Sequence, residues 1–551
     1  MTSLAERLAR PEIVALEGFD IAACDAAAVA DAIRLDANEN PFPPLVGGGL
    51  AAGINRYPEP QPARLKAALA GLYGVSSDNV LVTRGADDAI DMLVRAYCRP
   101  GTDAVAICTP TFAAYAHFAR LQGARVIEAP LTATFDFDAD AFVALIKGEA
   151  NVKLAFICTP NNPTGNEVDP SMILKVANAL ADTIVVADEA YLDFAETPSL
   201  AAQCVERPNL VVLKTLSKAF GIAGARVGCA IGESGLMAYA ARALPPYPMP
   251  SLSVDAAMAV LAPSRRAVHA ERIVRIKAER TRVASALGTS PMVRKVRSGG
   301  GNFLFLEVHD PDALAIRLGA AGIRVRFRPQ AAPGGVRVTI GTNAENDALL
   351  SAFGVTVDAP PERRSELVRD TRETAIAVAV DLDRAGPRTI DTGVPFYDHM
   401  LDQVAAHGGF SLVLNCDGDI AIDPHHTIED CAIALGSALS RALGDKTGIR
   451  RFGFTLPMDE AQAQVLIDLS GRSFCRFEGE FASSTIGDYP TQMTAHVFRS
   501  LADSMGAAIH VKVDGDNDHH KTEACFKAFG RALREAIRCE GDVVPSTKGV
   551  L

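Results

Sequence analysis

The sequence predicts an α/β chain in two parts: a larger one on a mostly parallel sheet flanked by helices, and a smaller α+β one made of an internal repeat. Three observations carry this expectation. Short apolar runs alternate with helix-like stretches through the first part, the motif HHxxE occurs twice in the second, and a Pro-rich charged stretch separates the two patterns.

The apolar runs are DAVAICTP from Asp103, KLAFICTP from Lys153, DTIVVADEA from Asp182 and NLVVLKTLSK from Asn209, while DDAIDMLVRAYC from Asp87 reads as helix. Near-continuous apolar strands alternating with helices are what a sheet covered on both faces requires. At 551 residues the chain is too long for one core. The stretch TVDAPPERRSELVR from Thr356 has the composition of a semi-extended connector. The expected division is therefore 1–358, a linker at 359–366, and 367–551.

Composition narrows the partners. Hydrophobic residues at 48% and charged residues at 22% are ordinary for packed globular domains. A net charge of −12 argues against nucleic acid or an anionic membrane as partner. No apolar run is long enough to span a bilayer, and the first residues lack the apolar core of a secretion signal. The 11 cysteines are scattered without a CxxC pair, so a reduced cytoplasmic compartment is expected. Eight of the 11 histidines follow residue 398, which points to imidazole chemistry in the second part.

In the first part, a strand runs into TLSKAFG (Thr215 to Gly221) and then Gly224-Ala225-Arg226. A lysine in a cleft can form a Schiff base with an aldehyde cofactor, and its pKa falls readily on burial. DEAY (Asp188 to Tyr191) puts a carboxylate at a strand's C-terminal end, where it could pair with a protonated pyridine nitrogen. NNPTG (Asn161 to Gly165) is another strand-end turn, whose Asn162 amide could bond a phenolate oxygen. Gly85-Ala86-Asp87 opens a helix whose N–H groups could hold a phosphate. Each motif alone is commonplace, a strand end, a helix start or a turn; their order and spacing together are not.

In that order, these motifs resemble the fold-type I aminotransferases over roughly residues 30–355. With IRLDANENPFPP (Ile33 to Pro44), NRYPEP (Asn55 to Pro60) and RVTIGTNAEN (Arg337 to Asn346), the chain looks most like histidinol-phosphate aminotransferase. The resemblance implies a large sheet domain plus a small α/β domain, and pyridoxal phosphate as cofactor. It implies Lys218 as the Schiff-base lysine and proton shuttle, Asp188 on the pyridine nitrogen, and Tyr191 and Asn162 on the phenolate oxygen. Thr215, Ser217, Arg226 and the Gly85–Ala86 backbone would hold the cofactor phosphate, with Tyr57 reaching in from a partner subunit. Arg337 would bind the amino donor's carboxylate and Arg326 the substrate phosphate, with Arg324 and Arg328 close by as rivals. Phe112 stands where many relatives carry a tyrosine stacked on the cofactor ring.

In the second part, HHTIE (His425 to Glu429) recurs as HHKTE (His519 to Glu523). Adjacent histidines diverge by about 100° around a helix, so one such helix can feed two different metal ions. A single HHxxE is commonly a solvated helix face. Two copies, joined by His399, His407 and His496, point to a pseudo-symmetric two-metal site. Imidazole and carboxylate ligands suit Mn, Fe, Co or Zn, and spacing does not choose among them.

RDTRET around Glu373, TGVPFYDHMLDQ, HHTIED, GIRRFG, PMDEA, DLSGR, HHKTEACFKAFGRALR and PSTKGVL occur in that order and look like imidazoleglycerol-phosphate dehydratase across 366–551. The resemblance implies two manganese ions per site, held by His399, His407, His425, His426, Glu429, His496, His519, His520 and Glu523. It implies Glu373 or Glu523 moving the proton, and Arg451, Arg472, Ser546 and Lys548 on the substrate phosphate. Assembly from trimers, with metal sites completed between subunits, is also implied, alongside an aminotransferase dimer. His510 matches no ligand motif and reads as structural.

The two resemblances fit consecutive reactions: the dehydratase product, imidazole acetol phosphate, is the keto substrate that transamination with glutamate turns into histidinol phosphate. The expected partners are these phosphorylated imidazoles and glutamate, in a homo-oligomer. One alternative is open for the first part, an aminotransferase for aromatic or other 2-oxo acids.

Overall fold

The computed structural model describes residues 33–34, 58–245, 247–356, 362–453 and 456–546. Tyr57, Lys548 and positions 359–361 of the expected linker lie outside the described residues. The chain forms two compact units, and the second takes in 261–271 as well as the C-terminal part of the chain.

The first unit is organised by a seven-stranded sheet. Its strands are β1 (Val80–Thr83), β2 (Ala104–Thr109), β3 (Arg125–Pro130), β4 (Val152–Cys158), β5 (Ile184–Asp188), β6 (Leu210–Thr215) and β7 (Gly228–Gly232). The spatial order is β1-β7-β6-β5-β4-β2-β3, and only β7 runs antiparallel to its neighbours. β6 is buried along its whole length and β5 nearly so, as expected for strands covered on both faces. Helix α1 (Gly85–Tyr97) follows β1 directly. A smaller antiparallel sheet has strands β8 (Val293–Ser298), β9 (Phe303–Val308), β10 (Arg326–Phe327) and β11 (Gly335–Thr339) in the order β10-β11-β9-β8.

The second unit is a repeat. Its first copy holds strands β12 (Arg364–Asp370), β13 (Thr374–Asp381) and β14 (Arg388–Asp391), helix α2 (Pro395–Gly408), strand β15 (Ser411–Gly418) and helix α3 (His425–Leu443). The second holds β16 (Phe452–Gly453), β17 (Leu456–Met458), β18 (Ala461–Asp468), β19 (Phe474–Glu478), α4 (Met493–Met505), β20 (Ala508–Asp514) and α5 (Asp518–Ala536). The sheets run β12-β13-β15-β14 and β16-β18-β20-β19, with β17 also on β18. In each, the last strand is parallel to its neighbour and the others antiparallel. Alternate residues of β18, from Ala461 through Val465 to Ile467, face the helical core, while Gln462 and Gln464 face outward. The helices pair across the repeats, α2 with α5 and α3 with α4.

One boundary needs correction. Arg364, Ser365 and Glu366, expected in the linker, belong to β12 and pair with Asp381, Val380 and Ala379. The charge run reads as a connector, but its charges are taken up: Arg364 pairs with both Glu271 and Glu366.

Two candidate active sites

The first site gathers at the carboxyl ends of β4, β5 and β6, where open α/β sheets place ligands. Asp188, the last residue of β5, is buried and accepts a hydrogen bond from Tyr115 Oη at 2.5 Å and one from the Ala190 N–H at 3.1 Å. Burial pushes its carboxyl up to about 6, against the opposing pull of the Tyr115 hydroxyl. A cationic ring nitrogen is the kind of partner that would restore its charge.

On the turn after β4, Asn162 donates from Nδ2 to Tyr191 Oη at 3.5 Å and accepts at Oδ1 from Arg337 Nη1 at 2.6 Å. Its amide orientation follows from the arginine, which can only donate. Lys218 Nζ lies 5.6 Å from the centre of the Tyr191 ring. Arg326 of β10 stands directly opposite Arg337 of β11 in the strand register, so both guanidinium-bearing residues share one face of the small sheet.

A phosphate cradle lies alongside. Gly85, at φ +80, opens α1, and a Cβ built on it would fall 2.7 Å from Arg226 Nη2. The close approach of arginine to a helix N-terminus requires glycine there. Arg226 also pairs with Asp87 at 2.8 Å, and the Thr215 and Ser217 hydroxyls lie 3.0 Å apart. Phe112 is half-buried, edge-on to Tyr115 with centroids 5.6 Å apart. The buried carboxylate, the lysine and this cradle together fit a pyridine aldehyde phosphate.

The second site is double. In the second unit His425 Nε2 and His496 Nδ1 each lie 3.9 Å from the Glu429 carboxylate, and their rings are 5.1 Å apart. His399 Nε2 lies 3.6 Å and His519 Nε2 3.7 Å from the two oxygens of Glu523. Each set therefore combines the first His and the Glu of one HHxxE helix with a histidine from the partnered helix of the other repeat. Asp423 receives the His425 N–H just ahead of α3, and Asn517 caps α5 by accepting the His519 and His520 N–H groups.

The second histidines turn elsewhere. His426 Nδ1 lies 3.1 Å from Glu373, and His520 Nδ1 lies 2.9 Å from Glu460. Asp459 and Glu460 come close enough to His520 to form a third cluster of ligand type. The donor sets hold nitrogen and oxygen only, since Cys431 and Cys525 are buried in the helical core with their thiols pushed up by burial. They fit manganese.

His407, expected among the ligands, lies at the far end of α2 from His399 and joins neither set. Burial and the nearby Arg531 and Lys527 hold its pKa below the usual value. Arg451 is fixed by Asp468, with Nε to Oδ1 at 2.6 Å, and donates from Nη1 to the Pro545 carbonyl at 3.1 Å, beside Ser546. Arg472 is exposed. His510 pairs with Leu466 across β18 and β20, in the sheet and away from either set.

Sequence reasoning missed Tyr115, Asp459 and Glu460. The last two stand inside the quoted PMDEA, directly before β18, as Glu373 stands directly before β13.

Residues 30–353 match the family model for aminotransferase class I and II, and residues 392–533 that for imidazoleglycerol-phosphate dehydratase. The chain is 42% identical over 353 residues to the histidinol-phosphate aminotransferase of Stenotrophomonas maltophilia, which covers 63% of this chain and 95% of that one. It is 57% identical over 194 residues to the histidine biosynthesis bifunctional protein HisB of the same species, covering 35% of this chain and 54% of that one. The chain thus spans about half the length of the HisB relatives it matches. A solved histidinol-phosphate aminotransferase from Sinorhizobium meliloti, in complex with pyridoxal-5'-phosphate, superposes with a TM-score of 0.55 at 24% identity over 62% of this chain and 95% of that one. It shares the fold.

Proposed function

Because this chain belongs to the class I and II aminotransferases and carries an imidazoleglycerol-phosphate dehydratase domain, we propose that it is a bifunctional enzyme of histidine biosynthesis working in the cytoplasm. It dehydrates imidazoleglycerol phosphate to imidazole acetol phosphate, then transaminates that product with glutamate to histidinol phosphate. No helix among the described residues is long and apolar enough to cross a membrane, and the described cysteines are unpaired thiols.

The observation that carries the transaminase reading is the continuous run Lys218, Tyr191, Asn162, Arg337 beside the buried Asp188. Pyridoxal phosphate supplies an electron sink for the carbon that bears the amino group. Asp188 would keep the pyridine nitrogen protonated, and Asn162 and Tyr191 would donate to the phenolate oxygen. Gly85, Ala86, Thr215, Ser217 and Arg226 would hold the phosphate, while Phe112 would flank the ring. Arg337 would grip the donor carboxylate with its planar fork and Arg326 the substrate phosphate. Lys218 Nζ would then carry the proton to and from the substrate carbon.

The observation that carries the dehydratase reading is the crossed pair of His–Glu sets. Manganese supplies Lewis-acid polarisation of the substrate's leaving hydroxyl. His425, Glu429 and His496 would hold one ion, and His399, His519 and Glu523 the other. His426 and His520, turned out of both sets, would complete the sites of neighbouring copies, which makes the enzyme a homo-oligomer. With Glu523 engaged as a ligand, Glu373 is the carboxylate left to take the proton beside the imidazole. Arg451, Arg472, Ser546 and Lys548 would bind the phosphate.

Purified protein supplied with imidazoleglycerol phosphate, manganese, pyridoxal phosphate and glutamate should release histidinol phosphate. Accumulation of imidazole acetol phosphate alone would remove the second activity, and no turnover of imidazoleglycerol phosphate would remove the first.

A further inference from the structure

The repeat makes a comparison that sequence alone does not. β13 and β18 are equivalent strands: each is antiparallel to the strand that precedes the HHxxE helix of its own repeat. Glu373 is the residue before β13 and Glu460 the residue before β18. Each carboxylate meets the second histidine of its own repeat's motif at Nδ1, Glu373 at His426 and Glu460 at His520. In the second repeat the attachment is the tighter of the two. Both Glu460 oxygens lie within 3.0 Å of His520 Nδ1, and Asn517, at the cap of α5, accepts the His520 N–H at its side-chain oxygen.

We propose that Glu460 is a positioning residue for the dehydratase metal centre, holding His520 as the tautomer whose Nδ1 carries the proton and whose Nε2 is free to bind manganese. This rests on the reading of His520 as a manganese ligand. A histidine that donates one ring N–H to a carboxylate has its ring orientation settled and its other nitrogen made more basic, which is how carboxylates beneath metal-bound histidines act. Glu460 does this from a strand end while Asn517 fixes the helix turn that bears the histidine, so strand and helix jointly aim the ring. The same construction on Glu373 and His426 is looser at 3.1 Å, which suits a carboxylate that must also reach substrate.

The test uses the full-length holoenzyme and its Glu460→Ala, Glu460→Gln and His520→Ala variants. Manganese affinity is read by electron paramagnetic resonance titration, and folding by thermal melting. Loss of such a carboxylate costs about 10–100-fold in metal affinity, and Glu460→Ala should show a loss of that size. Glu460→Gln should recover part of it, because its amide oxygen still accepts from Nδ1. Wild-type manganese affinity in a folded Glu460→Ala with weakened binding in His520→Ala would overturn the positioning role and leave the ligand reading intact. Unchanged binding in His520→Ala would overturn the ligand reading itself. A Glu460→Gln as weak as Glu460→Ala would mean that the carboxylate binds metal directly, and would also overturn the proposal.

Discussion

Arg337 donates from Nη1 to Asn162 Oδ1 across 2.6 Å, tying a strand of the small sheet to the turn at the carboxyl end of β4. The side chain expected to grip the donor's carboxylate is thereby also the one that orients the Asn162 amide, which is expected to face the cofactor.

Arg337→Lys should therefore disturb two observables together. Losing a charged hydrogen bond costs about 1.5–3 kcal/mol, so KM for glutamate should rise by about 10–100-fold. The absorption band of bound pyridoxal phosphate should shift as well, because Asn162 is released. A raised KM with an unaltered spectrum would show that the arginine touches substrate only.

Asp188 allows a prediction with a defined sign. Its folded pKa, about 6, lies above the ordinary carboxylate range because of burial. Its contribution to stability is thus complete below that range and is lost as pH rises through about 6. In the cofactor-free protein, Asp188→Asn should gain thermal stability relative to the parent as pH rises from about 4 to 7. It should nonetheless bind pyridoxal phosphate at least about tenfold more weakly, having lost a charged partner worth more than a neutral one. Melting curves that differ by a constant across this window would contradict the assignment of the shift to Asp188.

Asp430 holds the loop that carries Glu373. It accepts from Thr374 Oγ1 at 2.6 Å and from Arg369 Nη2 at 2.7 Å, and Thr371 Oγ1 in turn receives the Glu373 N–H at 3.1 Å. Asp430→Ala should lower dehydratase kcat by about tenfold or more, since buried hydrogen-bond partners are worth about 1–3 kcal/mol. Transamination should be unchanged. Dehydratase kinetics like the parent's, with the variant folded, would separate Glu373 from this support.

The two chemistries should be separable. Lys218→Ala should abolish transamination and spare dehydration, while Glu429→Gln should do the reverse and lower bound manganese. Assays of both half-reactions on each variant decide the matter; loss of both activities in one folded variant would contradict independent sites.

What the sequence made legible is what short-range chemistry dictates. Apolar runs marked four strands of the large sheet, and their ends located Asn162, Asp188 and Lys218. HHxxE marked two helix starts. Tyr115 was invisible because its partner Asp188 is brought near only by the sheet, and a tyrosine on an amphipathic helix carries no motif. The charge run at Arg363 to Glu366 suggested a connector, since its ion-pair partners Asp383 and Glu271 are distant in sequence. Nor does spacing tell which helices pair across the repeat, so the meeting of His and Glu side chains from different copies emerged only in three dimensions.

That sharing has a consequence for the architecture as a lineage. In each copy the HHxxE glutamate and the set-forming histidine of the other helix stand apart, and each meets its partner from the other copy, His399 with Glu523 and His496 with Glu429. A half-length chain could assemble either ligand set only by pairing with a second half. Once two halves share one polypeptide, the pairing no longer depends on concentration, and each copy is free to diverge. Asp430 after Glu429 and Ala524 after Glu523 are one such divergence: Asp430 holds the loop that carries Glu373, whereas Ala524 has no polar group with which to do the same.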